Sequence, residues 1–139
     1  MVKKSLLVAW LFASVMCLAG CVVVVKEETW KPVGLPTDDA VAEIDAVEEL
    51  SFESDRKQAY ERIAAREGLS DESQVHLVEA ALDRLTFDNA KEKVLLALIA
   101  NPSFCGAAEQ AILESLDKLA FESSRKKVLK AISDRKNRP

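Results

Sequence analysis

Three short stretches decide the reading of this chain: F-E-S-D-R at Phe52–Arg56, F-D-N-A-K at Phe87–Lys91 and F-E-S-S-R at Phe121–Arg125. They recur at spacings of 35 and 34 residues, within the range of two-helix repeats. Working outward from each phenylalanine, the same residue types return. Two residues before it stand Leu50, Leu85 and Leu119, and five before stand Val47, Leu82 and Leu116. Seven, eight and eleven after stand Ala59, Val94, Val128; Tyr60, Leu95, Leu129; and Ile63, Leu98, Ile132. Ser54, Asn89 and Ser123, two residues after, are types that cap helix N-termini well. Each unit therefore reads as a helix, a tight elbow and a second helix. The phenylalanine is expected to plug the gap between the two helices.

The elbows carry charges that need an account. Arg56, Lys91 and Arg125 fall in the first turn of a helix, where a cation opposes the macrodipole. Four residues before each phenylalanine is an acid, Glu48, Asp83 or Asp117, near the end of the preceding helix. Pairing across the elbow relieves both ends. The expected pairs are Glu48 with Arg56, Asp83 with Lys91, and Asp117 with Arg125. Exposed pairs of this kind contribute ~0.2–1 kcal/mol each, so they would set elbow geometry more than stability. A ladder of charges gripping a ligand is the functional alternative.

The rest of the chain from Thr37 is helical in pattern. Asp38 and Asp39 suit a helix start, and Val41, Ile44, Val47 and Leu50 keep to one face. A second helix with Ala59, Tyr60 and Ile63 stops at Gly68, with Leu69 folding back. Ser70 can cap a third helix that buries Val75, Val78, Leu82 and Leu85. The fourth, V-L-L-A-L-I-A at 94–100, stops at Asn101-Pro102. A fifth shows Ile112, Leu116 and Leu119, and a sixth Val128, Leu129 and Ile132. The fourth is apolar nearly all round and so belongs in the centre. The second and sixth are richer in charge, which makes the end repeats caps. The expected fold is all-α: three stacked helix-elbow-helix repeats, about six helices, in a domain at 38–134 with a frayed basic tail at 135–139.

The N-terminal part points to location. Lys3 and Lys4 precede an apolar run too short to span a bilayer comfortably. Leu18-Ala19-Gly20-Cys21 follows and resembles the lipobox of bacterial lipoproteins. That resemblance implies a signal peptide at 1–20 and a diacylglyceryl Cys21, with palmitate-type acyl chains as membrane anchor. Residues 22–37, with two prolines and a glycine, read as a tether. Trp30 can rest on the membrane or on the domain. Val22 in place of aspartate favours the outer over the inner membrane by resemblance to envelope sorting rules. Lys26-Glu27-Glu28 resembles the tags of surface lipoproteins, so the periplasmic and surface faces both stay open. Cys17 leaves with the signal peptide, and Cys105 remains as a small apolar residue without a disulfide partner.

Charge and motifs narrow the function. The full chain has 19 basic and 23 acidic residues, a net charge of −4. Without Lys3 and Lys4 the balance is 17 against 23, or −6, which argues against a nucleic-acid partner. The only histidine, His76, has no Cys or His cluster around it at metal-ligand spacing, and is expected to be partly buried. There is no G-x-S-x-G elbow and no glycine-rich phosphate loop. The basic C-terminal end, with Arg125, Lys126, Lys127, Lys130, Arg135, Lys136 and Arg138, reads as a solvated face that could also dock on an acidic partner.

The F-x-S-x-R elbow, the leucine two residues earlier and the L-S-x-x-Q-V entry at Leu69–Val75 resemble the domain of unknown function 4476 family. The resemblance spans about Ile44 to Ile132. It departs at Asn89, at Lys91 and at Cys105-Gly106, where a capping serine is expected. It implies a helical repeat domain of secreted or envelope proteins, and brings no catalytic residues. The expected function is a lipid-anchored, non-catalytic envelope module that binds or scaffolds another protein, without metal or cofactor. The alternative is a binder of a small or lipidic ligand held between the helices.

Overall fold

The computed structural model describes residues 39–139. The expected signal peptide, lipidated Cys21, Trp30 and tether lie outside the described residues. Among the described residues six α-helices follow one another: α1 Asp39–Glu48, α2 Glu53–Ala64, α3 Asp71–Arg84, α4 Asp88–Ala100, α5 Gly106–Glu114 and α6 Glu122–Lys136. A 3-10 turn at Leu116–Lys118 lies between α5 and α6, and no strand occurs among the described residues. The fold is all-α.

α1 packs on α2 and α3 on α4, while α5 leads into α6 through the 3-10 turn. Odd helices pack on odd and even on even: α1 on α3, α3 on α5, α2 on α4, α4 on α6. The result is a two-layer stack. A two-helix unit cannot bury its apolar face alone, and stacking supplies the missing surface. The central unit shows this most clearly. Val94, Leu95, Leu98 and Ile99 of α4 are all buried, because α2 and α6 cover opposite sides and α3 covers a third.

Repeat-equivalent positions report the stacking direction. Tyr60 and Leu95 are buried, whereas the matching Leu129 of the last unit is 42% exposed. Leu85 and Leu119 are buried, whereas Leu50 of the first unit is 38% exposed. The first set is covered by the following unit and the second by the preceding one.

Local signals account for the element ends. Gly68 takes φ +76 after α2, a left-handed conformation that costs a residue with a Cβ roughly 1–2 kcal/mol. Leu69 beside it is buried. Ser70 Oγ caps α3 by accepting from the Ser73 N–H at 3.1 Å. Cys105 does the same for α5, with Sγ 3.4 Å from the Ala108 N–H, so this half-buried cysteine stands in for the expected capping serine. Gln74, fully buried, donates through Nε2 to the carbonyls of Leu69 (3.0 Å) and Ser103 (2.8 Å) and accepts from the Cys105 N–H (3.0 Å). It thereby joins the start of α3 to the start of α5.

Two expectations need correction. The fifth helix does not run on to Leu119. It ends at Glu114, the chain tightens into the 3-10 turn, and Leu119 is reached in extended conformation and fully buried. The shorter turn lets one leucine fill the elbow while the other faces the core edge. The last helix, in turn, continues to Lys136, so the basic tail does not fray at residue 135.

The reason is a second stitch between units. An α-helix leaves its last carbonyls without intrahelical partners. Asn101 Nδ2 donates to the carbonyls of Ala64 and Arg66, both at 2.7 Å, closing the C-terminal end of α2. Arg135, at the matching position of the next unit, donates to the carbonyls of Ile99 (2.9 Å) and Pro102 (3.1 Å) at the end of α4. Its guanidinium also lies 5.3 Å from the centre of the Phe104 ring. Asn101 is buried, so its replacement by alanine strands two carbonyls. Asn101→Ala is expected to cost about 1–3 kcal/mol, read as a lower midpoint in urea unfolding with unchanged slope.

Candidate functional site

The three elbow phenylalanines do not plug the helix pairs. Phe52, Phe87 and Phe121 are 70%, 64% and 66% exposed. Each is the N-cap residue of its helix, extended at φ −103, −88 and −89. An N-cap residue stands half outside the helix. At Phe87 and Phe121 the preceding Leu85 and Leu119 are buried in the elbow and the ring is left at the rim, whereas Leu50 before Phe52 is itself 38% exposed.

The expected caps and ion pairs are replaced as well. Ser54 Oγ meets only Asp55 Oδ1, at 3.4 Å, and Asn89 and Ser123 are exposed. None of them caps. The cap comes instead from the acid directly after the preceding unit's phenylalanine. Glu53 Oε1 accepts from the N–H groups of Thr86 (3.0 Å) and Phe87 (2.9 Å). Asp88 Oδ2 accepts from the Phe121 N–H at 2.6 Å. A carboxylate at a helix N-terminus satisfies orphan donors and complements the dipole.

The basic residues turn to backbone. Arg56 Nη1 donates to the Leu50 carbonyl (3.2 Å). Arg125 donates to the Leu119 (2.8 Å) and Ala120 (3.0 Å) carbonyls. The buried Lys91 reaches the Lys118 carbonyl in the next unit (3.0 Å). Glu48 pairs with Arg84 at 2.7 Å and Asp83 with Lys118 at 2.5 Å, each across one repeat rather than across its own elbow. Asp117 enters none of the ion pairs of the described residues. The cations win the carbonyls because these are orphaned at helix ends and nearer than the carboxylates. A legible signal was present: Arg84 and Lys118 each follow their unit's acid, and Glu53 and Asp88 each follow a phenylalanine.

These contacts fix the register of the edge. The N-terminal ends of α2, α4 and α6 are tied together by Glu53 and Asp88, and the C-terminal ends by Asn101 and Arg135. The three helices therefore start side by side, with the three phenylalanines at equivalent N-cap positions on successive helices. Leu50 adds apolar surface beside Phe52. A cleft of about 210 Å³ lies beside the central ring, lined by Glu53, Ser54, Lys57, Phe87, Asn89 and Ala90.

Two carboxylates of the stitching set are electrostatically tuned. Burial pushes Glu53 up, but the Phe87 and Thr86 N–H groups and nearby Arg56 hold it below the usual carboxylate range. Lys127, at 2.8 Å, holds Glu92 down against its burial, with the Ser124 hydroxyl at 2.7 Å assisting. Both folded-state values are depressed, so the stability they contribute is present above the unfolded value of about 4.3 and is lost as pH falls through the lower folded value. The melting temperature is expected to fall as pH drops below about 4.3, and less steeply in Glu53→Gln, in a series of thermal melts.

The larger clefts lie on the other layer. One of about 410 Å³ is lined by Asp71, Glu72, Val75, His76, Glu79 and Ala107. One of about 380 Å³ shares His76 and Glu79 and adds Glu48, Asp83 and Arg84. His76 is half-buried, with Nε2 2.6 Å from Asp45 Oδ1. Among the described residues no group of three His, Cys, Asp or Glu side chains could hold a metal. These are grooves between solvated helices, with acids spread along them. The phenylalanine row differs in kind: it repeats one exposed apolar group at one structural position.

No family model, curated protein or solved structure matches this chain. Because the rings are exposed, Phe52→Ser, Phe87→Ser and Phe121→Ser are each expected to change folding free energy by under about 0.5 kcal/mol. Leu85→Ala, beneath the same edge, is expected to cost about 2–5 kcal/mol in the same unfolding assay.

Proposed function

We propose that this chain is a lipid-anchored, non-catalytic interaction module of the bacterial cell envelope. Cys21 carries the acyl anchor, residues 22–37 tether the helical stack, and the phenylalanine edge docks a protein. The observation that carries the reading is the row of Phe52, Phe87 and Phe121, each about two-thirds exposed at an equivalent position. A small soluble domain rarely leaves aligned aromatics in water, and such a row rimmed by polar groups suits a partner surface. The lipobox-like Leu18-Ala19-Gly20-Cys21 supports the anchor, and Val22 supports the outer membrane. The likeness of the elbows to the domain of unknown function 4476 family belongs to the same reading and adds no activity.

A small-ligand role has less support. The two clefts of ligand-site volume, at about 410 and 380 Å³, are grooves lined mostly by charged side chains and His76 rather than by core leucines. The cleft beside Phe87 is only about 210 Å³, below the roughly 300–1,000 Å³ typical of ligand sites. The test is crosslinking of the tagged full chain in intact cells, with two controls. Cys21→Ser is expected to release the chain from the membrane fraction. The triple Phe52→Ser, Phe87→Ser, Phe121→Ser variant is expected to stay membrane-bound and lose its crosslinked protein adduct. An adduct that survives in the triple variant would sink the proposal for this edge.

A further inference from the structure

We infer that the phenylalanine edge is the contact surface of a two-fold dimer, in which two copies of this chain lie antiparallel along it. Phe87 of one copy meets Phe87 of the other, and Phe52 meets Phe121. The inference rests on the reading of the edge as a protein-docking surface and names its occupant.

The first argument is geometric. The rings follow the packing of α2, α4 and α6, and packed helices stand about 8–10 Å apart. Three identical groups at equivalent positions of three successive helices keep their pattern when the order is reversed. The axis of reversal passes beside the middle one. An isologous contact needs this self-complementarity, and two-fold dimers are the commonest closed assembly.

Charge then selects the antiparallel direction. Helix α1 holds four acids, Asp39, Glu43, Asp45 and Glu48, and no base. Helix α6 holds six bases against the two acids Glu122 and Asp134, a net charge of +4. The same gradient runs along the edge. Residues 48–57 carry four acids and two bases, a net charge of −2, and the matching residues 117–126 carry two acids and three bases, a net charge of +1. Antiparallel copies set the acidic unit of each against the basic unit of the other. Parallel copies would set like on like. Complementary fields of this kind orient encounter and fix register.

Area is adequate. A fully buried phenylalanine contributes about 150–250 Å², so six rings at two-thirds exposure offer roughly 600–1,000 Å². Leu50 from each copy and the polar rim at Ser54, Asn89 and Ser123 extend this toward the ~1,200 Å² at the low end of stable interfaces. The cleft lined by Ser54, Lys57 and Asn89 beside Phe87 gives the opposing ring a place to enter.

The test places cysteines next to the rings and keeps the rings themselves. Ser54→Cys, Asn89→Cys and Ser123→Cys occupy equivalent exposed positions. They are made in the full chain carrying Cys105→Ser, which keeps the α5 cap, and treated in cells with a short-span bismaleimide. The expected result is a covalent dimer from Asn89→Cys alone and from co-expressed Ser54→Cys and Ser123→Cys chains. Ser54→Cys or Ser123→Cys alone should give only traces, and Phe87→Ser should abolish the Asn89→Cys dimer. Equal self-crosslinking at all three positions would overturn the antiparallel register. No self-crosslinking at any position, with a different protein captured in an edge-dependent way, would overturn the dimer and leave the docking reading standing. No self-crosslinking and no edge-dependent adduct would overturn both.

Discussion

Everything in this stack depends on how the ends of α2, α4 and α6 are satisfied. A helix leaves four N–H groups at its start and four carbonyls at its end without partners. Short units of nine to fifteen residues per helix have many such ends for little length. Here the partners come from the neighbouring unit. Glu53 and Asp88 close the starts of α4 and α6, and Asn101 and Arg135 close the ends of α2 and α4. Each unit is therefore incomplete in its polar groups as well as in its apolar face. That double dependence makes the stack cooperative and sets its direction.

The same constraint explains the exposed phenylalanines. At Phe87 and Phe121 a carboxylate from the preceding unit accepts the N–H of the cap residue itself, so the helix start is held without a polar cap side chain. An aromatic ring is then free of the folding demands on its neighbours, and its repetition in three units has no packing explanation among the described residues. Leu85 and Leu119 fill the elbow. The ring adds surface on the water side of an already complete structure, which is what a docking residue looks like in energetic terms.

Charge is distributed along the stack with a direction too. The first helix is purely acidic and the last is mainly basic, and the ion pairs Glu48–Arg84, Asp83–Lys118 and Lys127–Glu92 each bridge successive units. Exposed pairs of this kind are individually weak. Their effect is to favour one neighbour over another. In each of these pairs the acid comes from the earlier unit and the base from the later one.

Much was legible in the sequence because it is local. Periodic apolar residues gave six helices, Gly68 gave a left-handed stop, Ser70 gave a cap, and the 35- and 34-residue spacing gave three units with α4 in the middle. These are determined within a few residues or by a repeated pattern, so one chain read alone suffices. What tertiary structure decided were the pairings. Arg56, Lys91 and Arg125 sit within reach of both carboxylates and carbonyls, and only the fold reveals that the carbonyls are closer and otherwise unpaired. Glu48 and Asp83 find their cations about 35 residues away, a separation at which sequence distance says nothing about space. Whether an apolar residue at an elbow points in or out is likewise invisible to periodicity. It depends on which side chain fills the slot first, and packing gave that slot to leucine and left phenylalanine in water.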